Sequence, residues 1–269
     1  MKKLATALVS AAAIMTMSTT AFAAENPAEV FDRVMEKNNT IQSAEIQSGV
    51  HSVILAKDVI PDGQMKVDMA MHAEMDMQDT TDLKYLAQVA SSILGQDSYS
   101  QVFYTDGYYY VDANGVKLKY PMPLEQIISS VQTGVNTSNM ESSYMKGISL
   151  NEVNGKRVLA YEANPKKLNK NVKEALGTVM NTLGIDINLD MNIQEMKGAY
   201  VLDDNDYIIY MTNYIVYNME VLDQPMTCIT LMETEVQNPG EPVVVTLPST
   251  DGYEDLIGLY DGVIESEVE

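Results

Sequence analysis

The sequence predicts an α+β protein built on an antiparallel β-sheet of about ten strands. Two long stretches, 65–77 and 185–193, alternate apolar and polar residues with a period of two. Such alternation is typical of strands that bury only one face, as in antiparallel sheets. Other segments carry apolar residues at helical spacing, which predicts helices inserted between the strands. Short turns between neighbouring segments favour hairpins as the main connection.

The first 23 residues are typical of a secretory signal peptide. Lys2 and Lys3 precede a mostly apolar core, and Ala-Phe-Ala at 21–23 fits a cleavage site near Ala23. Cleavage takes away two positive charges and lowers the formal net charge from −21 to −23. We therefore expect an exported protein, secreted or held in the cell envelope. No cysteine follows the signal, so we expect no lipid anchor there, and no later apolar run approaches the roughly 20 residues of a transmembrane segment.

The mature chain begins with a short helix and a long hairpin. Asn26-Pro27 suits the start of an amphipathic helix that ends near Asn38. Residues 40–55 then predict the first strand, and a turn at 61–63 leads into the second. Seven residues share the apolar face of this second strand, the methionine strand: Met65, Val67, Met69, Met71, Ala73, Met75 and Met77.

The periodicity changes at residue 80. Residues 80–94 have apolar residues at helical spacing, which predicts a helix ending at Gly95. A further helix is predicted at 123–131. Between these helices lie three short strands joined by Asx-Gly pairs, which are strong hairpin turns; the strands are 101–104, 108–111 and 116–120.

The second half of the chain combines one strong helix with a run of strands. The helix is predicted from Asn164 to Leu183, with one apolar stripe and with Gly184 as its C-cap. The predicted strands are 147–153, 157–162, 185–193, 198–202, 207–221, 226–236 and 243–247. Residues 251–269 are acidic and poor in core-forming residues, so we expect a flexible tail there.

The acidic composition excludes some partners. Nucleic acid is not expected, because binding to phosphates needs a basic surface. Docking on anionic lipids by charge is disfavoured for the same reason. The single cysteine, Cys228, excludes an intramolecular disulfide, and its apolar neighbours indicate a buried small hydrophobic residue.

No catalytic centre can be identified in the sequence. Motifs for a nucleophile, a phosphate loop or a dinucleotide are absent. His51 and His72 lie on the two strands of one predicted hairpin, where they would bind a metal together with Glu74 or Asp76; two surface histidines are the simpler interpretation. The acidic run 203–206 lacks the ligand number and the glycine of a calcium loop and indicates a turn. We expect no enzyme activity, no cofactor and no metal.

The apolar strand faces form either a packed core or the wall of a cavity. Methionine is flexible and polarisable, and it suits surfaces that accept varied apolar partners. A gap between sheet and helices would take a lipid or another apolar ligand. The candidate lining residues are Met69, Met71, Met75, Leu189, Met191 and Ile193. If the core closes fully, the chain is instead a protein-interaction or structural module, and its acidic surface or tail contacts an envelope protein or the cell wall.

The order of elements and two short blocks carry a family resemblance. The blocks are QVFYTDGYYYVDANGVKLKYPMP at 101–123 and PVVVTLP at 242–248. Over roughly residues 27–248 the chain resembles an uncharacterised family of secreted and lipid-anchored proteins of Gram-positive bacteria. Those proteins look similar to carriers of lipoproteins and to mycobacterial envelope lipoproteins that bind lipids. Many members have a lipid-anchored cysteine after the signal, and this chain has none.

The resemblance also implies a particular architecture. It implies a half-barrel, in which a strongly curved antiparallel sheet has amphipathic helices packed in its concave face. This half-barrel would be a single domain at 24–250, with an apolar ligand between sheet and helices.

Overall fold

Most of the described chain is β-strand. The computed structural model describes residues 25–56, 60, 62–79, 83–123, 140–170, 191–221 and 224–255. Several predicted elements lie outside these residues. They are the signal peptide, the helix predicted at 123–131 apart from its first residue, most of the helix predicted at 164–183 and the first part of the strand predicted at 185–193.

In the described parts of the chain, twelve strands form one sheet. Their bounds are β1 Ser43–Leu55, β2 Gln64–Asp76, β3 Lys84–Ile93, β4 Gln96–Thr105, β5 Tyr108–Ala113, β6 Val116–Pro121, β7 Met145–Val153, β8 Lys156–Ala163, β9 Met191–Leu202, β10 Ile208–Val221, β11 Gln224–Gln237 and β12 Glu254–Asp255. The order across the sheet is β12-β6-β5-β4-β3-β2-β1-β11-β10-β9-β8-β7. Pairing is antiparallel from β3 to β6 and from β7 to β11, and parallel between β12 and β6. The predicted antiparallel sheet is confirmed.

Helices are few in the described residues. Helix α1 spans Pro27–Asn38 and buries Val30, Phe31 and Val34, which confirms the predicted first helix. The Asn26 side chain accepts a hydrogen bond from the Ala28 backbone N–H at 3.1 Å and so caps the helix. A 3₁₀ turn covers Ser142–Tyr144, and residues 165–170 are helical. Among these helices, none is long and apolar enough to cross a membrane.

The helix predicted at 80–94 is wrong, because most of this stretch is β3. Strand β3 pairs with β4 from Tyr85 opposite Tyr104 to Ile93 opposite Gln96. Leu86 packs with Phe103 on one face, and Tyr85 packs with Tyr104 on the other. A strand with apolar contacts on both faces lacks the simple alternation of apolar and polar residues. Its apolar residues can then fall at helical spacing, which is why a helix was predicted here.

The strand predicted at 243–247 is also wrong, although its side chains are packed. Residues 241–253 contain no strand, and the two residues of β12 pair with β6 instead. Val245 is buried in a cluster with Phe103 and Tyr253, beside Val243 and Leu247. The apolar side chains of this segment therefore pack in a core cluster, although its backbone does not pair in the sheet.

The chain forms two compact units, and β1, β2 and β11 contribute residues to both. Of the described residues, those between 25 and 38, 49 and 68, and 140 and 235 belong to the first unit. Its core joins α1 to strands β7 to β10: Phe31 lies against Tyr161, with ring centroids 5.7 Å apart, and against Tyr200, at 6.1 Å. Leu150 and Leu159 complete this cluster.

Of the described residues, those between 39 and 48, 69 and 123, and 236 and 255 belong to the second unit. Tyr104 and Phe103 are consecutive on β4, so their side chains lie on opposite faces of the sheet. Tyr104 belongs to a cluster with Met75 and Met77, whereas Phe103 stacks on Tyr110 at 4.6 Å. Both faces of this unit are therefore packed. The predicted single domain at 24–250 stays a prediction.

Candidate apolar binding site

The methionine strand has the predicted alternation, and its apolar face changes in exposure along its length. Met75 and Met77 are buried against Ala44, Leu83 and Tyr104. Met69, on the same face, is 39% exposed. In the second unit this face is therefore closed at the Met77 end and accessible at the Met69 end.

A second apolar face lies on β9, β10 and β11 in the first unit. The strand register places Tyr217 opposite both Ile193 and Cys228, and Met219 opposite both Met191 and Met226. Residues directly opposite each other share a face. This sulfur-rich face therefore combines thioether and thiol side chains with aliphatic and aromatic ones.

A β-bulge keeps this face continuous on β9. Ile215 pairs with Met196 and Tyr217 pairs with Ile193, with a register shift between Val216 and Tyr217. The extra residue in β9 brings Ile193 and Met196 to the same side although they are three positions apart. Leu168, from helical residues 165–170, packs on Ile193. The start of the predicted 164–183 helix thus covers one part of the sulfur-rich face.

Cys228 is buried in this face, as its apolar neighbours predicted. Its thiol lies 3.7 Å from the Met219 sulfur, within the range of a weak S–H hydrogen bond. Burial raises the pKa of the Cys228 thiol. The side chain therefore contributes to an apolar wall and does not have the character of a reactive thiolate.

Polar groups on the neighbouring strands pair with one another. The Ser52 and Thr230 hydroxyls lie 2.9 Å apart, on β1 and β11. The Tyr161 hydroxyl donates to Asn213 Oδ1. Burial raises the pKa of Tyr161 and also that of Tyr200, to about 12, so both phenols are neutral. These hydroxyls carry no charge that would attract an ionic ligand.

The residues predicted to line the ligand site fall on β2 and β9 where the structure describes them. Met69, Met71 and Met75 lie on one face of β2 in the second unit. Met191 and Ile193 lie on the sulfur-rich face of the first unit. Leu189 lies outside the described residues. Sequence periodicity missed Met219 and Met226, which become visible only through the strand register, because β10 and β11 carry side chains of similar polarity on both faces.

Two clefts within the described chain have linings of mixed polarity. One has a volume of about 300 Å³ and is lined by Asn192, Asn218, Met219, Glu220, Pro225, Met226 and Thr227. Its Met219 and Met226 belong to the sulfur-rich face, and Thr227 Oγ1 donates to Asn218 Oδ1 at 2.9 Å. The other, about 330 Å³, is lined by Asp76, Gln78, Asp79, Lys84 and Val243–Val245. Neither lining contains a residue of the predicted set. A single cavity lined by that set stays a prediction.

Each histidine pairs with carboxylates of its own unit. His51 Nδ1 lies 2.7 Å from Asp68 Oδ1. His72 Nε2 lies 3.1 Å from Glu74 Oε1, and its Nδ1 is 3.9 Å from Glu45. Within the described residues, no group of three or more His, Cys, Asp or Glu side chains has the geometry of a metal site.

The acidic run 203–206 is a turn, as predicted. Asp203 Oδ1 accepts the backbone N–H groups of Asn205 and Tyr207, both at 2.8 Å. Asp206 accepts hydrogen bonds from Arg33 at 2.8 Å and from Arg157 at 2.5 Å. Its carboxylate oxygens therefore hold the turn to α1 through Arg33 and to β8 through Arg157.

Comparisons with known proteins show what the chain is similar to. The model of a family of unknown function, DUF6612, matches residues 26–248. No curated protein matches the chain. Among solved structures, LprF from Mycobacterium bovis is 10% identical, with a TM-score of 0.34, over 83% of this chain and 97% of that one. The lipoprotein LppX from Mycobacterium tuberculosis is 9% identical, with a TM-score of 0.35, over 82% of this chain and 100% of that one.

Proposed function

We propose a function for this chain, which belongs to the DUF6612 family of unknown function: it is an exported, non-enzymatic protein of the cell envelope or its surroundings that binds a lipid or another apolar ligand. In this proposal the sheet curves as a half-barrel and the ligand lies between the sheet and its helices. The proposed lining consists of Met69, Met71, Met75, Leu189, Met191 and Ile193.

The observation that carries the proposal is the gradient of exposure along β2. Met69 and Met75 lie on one face of one strand, yet Met69 is 39% exposed and Met75 is 2% exposed. Removing apolar surface from water contributes about 25 cal/mol per Å². An acyl chain lying along the accessible part of this face would remove apolar surface from water, and binding would be favoured by that free energy.

The sulfur-rich face of the first unit also supports binding of an apolar ligand. Met191, Met219 and Met226 are only half-buried there, although they are apolar and share a face. Methionine side chains adjust their shape at low cost, so such a face accepts acyl chains of different length. Leu168, in the helical residues 165–170, packs on Ile193 and supports a role for this segment in covering the face.

The polar groups indicate how selective such a site would be. The Ser52 and Thr230 hydroxyls satisfy each other at 2.9 Å, so neither requires a ligand atom. Selectivity would therefore depend on apolar length and shape more than on directional hydrogen bonds.

A double substitution tests the proposal. Met71→Asp with Met191→Asp places a charge on each apolar face, and burying a charge against an acyl chain is strongly unfavourable. We expect the double variant to lose uptake of a radiolabelled fatty acid, measured by gel filtration. The matched control, Met71→Leu with Met191→Leu, keeps both faces apolar and should retain uptake. A folded double-aspartate variant that still takes up the fatty acid would disprove the assigned lining.

A further inference from the structure

Four sulfur-containing side chains occupy neighbouring positions on the sulfur-rich face. The strand register places Met219, on β10, opposite Met191 on β9 and opposite Met226 on β11. Cys228 is two residues beyond Met226 on the same strand, so its side chain lies on the same face. Cβ atoms of directly opposite residues are about 5 Å apart, which is within the reach of methionine side chains. We call Met191, Met219, Met226 and Cys228 the sulfur cluster.

One distance in the sulfur cluster matches the geometry of a bound metal ion. The Cys228 Sγ atom lies 3.7 Å from the Met219 Sδ atom. Two sulfur ligands of one tetrahedral ion, each bonded at about 2.3 Å, lie about 3.8 Å apart. The two sulfurs are therefore spaced as one edge of a four-sulfur tetrahedron. Met191 and Met226 can complete this tetrahedron by rotation of their side chains, which methionine does at low cost.

A cleft connects the sulfur cluster to solvent. Met219 and Met226 line the cleft of about 300 Å³ at the end of β10 and the start of β11, and both are half-buried. Glu220 lines the same cleft and is exposed, so its carboxylate favours the approach of a cation. Cys228, in contrast, is 1% exposed. An ion would therefore contact the two thioethers first and the thiol last.

Sulfur ligands favour soft metal ions. Hard ions such as Mg²⁺ and Ca²⁺ prefer oxygen ligands, whereas thioether and thiolate ligands favour Cu(I). Ag(I) has the same charge and similar softness, and it is not oxidised in air. The sequence-based expectation that the chain holds no metal considered histidine and carboxylate ligands. Methionine was interpreted there only as an apolar residue.

We propose that the sulfur cluster binds one soft monovalent metal ion, with Cu(I) as the natural occupant. The three methionines supply uncharged thioether sulfurs, and Cys228 supplies the fourth sulfur. When the Cys228 sulfur binds, its S–H bond breaks and the proton passes to solvent, while the ion keeps its oxidation state. One thiolate then neutralises the single charge of the ion. The resulting complex has no net charge, which suits a site on an apolar face.

Metal binding does not depend on the proposed binding of an apolar ligand. Methionine and leucine have similar volumes and are both apolar, so the exchange conserves packing, but leucine has no sulfur. Met219→Leu and Met226→Leu should therefore take up fatty acid as the wild type does while losing metal affinity. Failure of either proposal leaves the other intact.

Titration of residues 24–269 with Ag⁺, followed by native mass spectrometry, tests the proposal. The wild type should bind one Ag⁺ ion. Met219→Leu and Met226→Leu should each weaken the Ag⁺ affinity at least about tenfold, because a ligand bonded to the ion is lost. Met211→Leu is the matched control, because Met211 is also half-buried on the same face of β10. It lies eight residues from Met219, roughly 26 Å along the strand, and its variant should bind as the wild type does.

Methyl-labelled methionine distinguishes one specific site from scattered binding to exposed thioethers. Ag⁺ should shift the ¹³C-methyl NMR signals of Met219 and Met226 and leave that of Met211 unchanged. Wild-type affinity in both Met219→Leu and Met226→Leu would overturn the proposal, and a loss of binding confined to Cys228→Ala would then identify a free thiol as the only ligand. Displacement of Ag⁺ by an equal concentration of Zn²⁺ would also contradict a site built from soft ligands.

Discussion

Gly198 and Asn213 lie opposite each other on β9 and β10, so close that a Cβ at position 198 would be 2.5 Å from Asn213 Oδ1. The same Cβ would be 2.5 Å from the Thr212 carbonyl oxygen and 2.8 Å from the Tyr161 hydroxyl. Glycine therefore leaves the space in which Tyr161 donates its hydrogen bond to Asn213 beneath α1.

Gly198→Ala should destabilise the protein by about 2 kcal/mol, because the added methyl overpacks the core and displaces this hydrogen bond. Urea unfolding measures the change. Gly147→Ala, in β7, is the matched control, since a Cβ there meets nothing within 4 Å, and its effect should be within about 0.5 kcal/mol. Equal stabilities of the two variants would contradict this role for Gly198.

The pairing of Asp206 with Arg33 and Arg157 predicts a dependence of stability on pH. Burial alone would raise the pKa of the Asp206 carboxyl, but the hydrogen bonds from the two arginines outweigh burial and hold the pKa below its ordinary value of 3.8. A lowered pKa in the folded state contributes stability above the unfolded value, and this contribution is lost as the pH falls through the folded value.

Asp206→Asn tests this dependence without disturbing the turn, because Asn also tolerates the φ of +66° at this position. The variant should be less stable by about 1 kcal/mol at pH 7, as measured by urea unfolding. The difference between variant and wild type should be constant above about pH 5 and should close below pH 3.8. A difference that is the same at pH 7 and pH 3 would refute the pairing.

The contacts of Tyr253 indicate that the segment around this residue contributes to the stability of the folded protein. Its ring lies 5.1 Å from Tyr110 and 5.6 Å from Phe103, both edge-on, and Lys117 lies 5.2 Å from its centroid. The tail predicted from residue 251 therefore begins with residues that pack on the second unit.

A chain that ends at residue 250 should be less stable than the full chain by roughly 2–3 kcal/mol, because it loses the buried Tyr253 ring. A chain that ends at residue 255 keeps that ring and should unfold at a higher temperature than the chain that ends at residue 250. Tyr253→Ala in the full chain should reproduce most of the loss. Equal melting temperatures for the chains that end at 250 and 255 would show that the ring contacts contribute nothing.

The buried carboxylate of Glu233 depends on Tyr210. Glu233 is 5% exposed; Tyr210 donates to its Oε1 at 2.7 Å, and Oε2 has no hydrogen-bond partner among the described residues. Burial and the bond to Glu233 both raise the pKa of Tyr210, so the phenol remains a donor at physiological pH.

Tyr210→Phe should destabilise the protein by about 2 kcal/mol, because it leaves a buried carboxylate without a donor. Adding Glu233→Gln to Tyr210→Phe should recover part of this loss, since an uncharged amide costs less to bury. The four proteins of this cycle can be compared by urea unfolding at pH 7. Additive effects of the two substitutions would exclude a direct interaction between them.

The comparison of β2 with β3 shows which strands of this sheet can be identified from the periodicity of apolar residues. The second strand keeps one face polar, so alternation identified it correctly. The third has apolar contacts on both faces, and Gly95, interpreted as a helix C-cap, is instead the second residue of a hairpin turn. Both roles use the same positive φ, so the glycine alone does not distinguish them.

The sequence predicted which residues of a single strand share a face, but not which residues of different strands lie together. Met69, Met71 and Met75 follow from one alternating run, and Met191 and Ile193 from another. Neither run shows that Met219 and Met226 join the sulfur-rich face, because that depends on register. The bulge that places Met196 beside Ile193 breaks the period of two, and it has no sequence signal of its own.

Native mass spectrometry of residues 24–269, before and after organic extraction, tests the proposed ligand binding most directly. We expect a reproducible additional mass that is removed by extraction and identified as a lipid, and we expect the extracted protein to take up added fatty acid. A bare protein mass, with no uptake of fatty acids or phospholipids, would contradict the proposal. The methionine faces would then be packed core, and the chain would be an interaction or structural module.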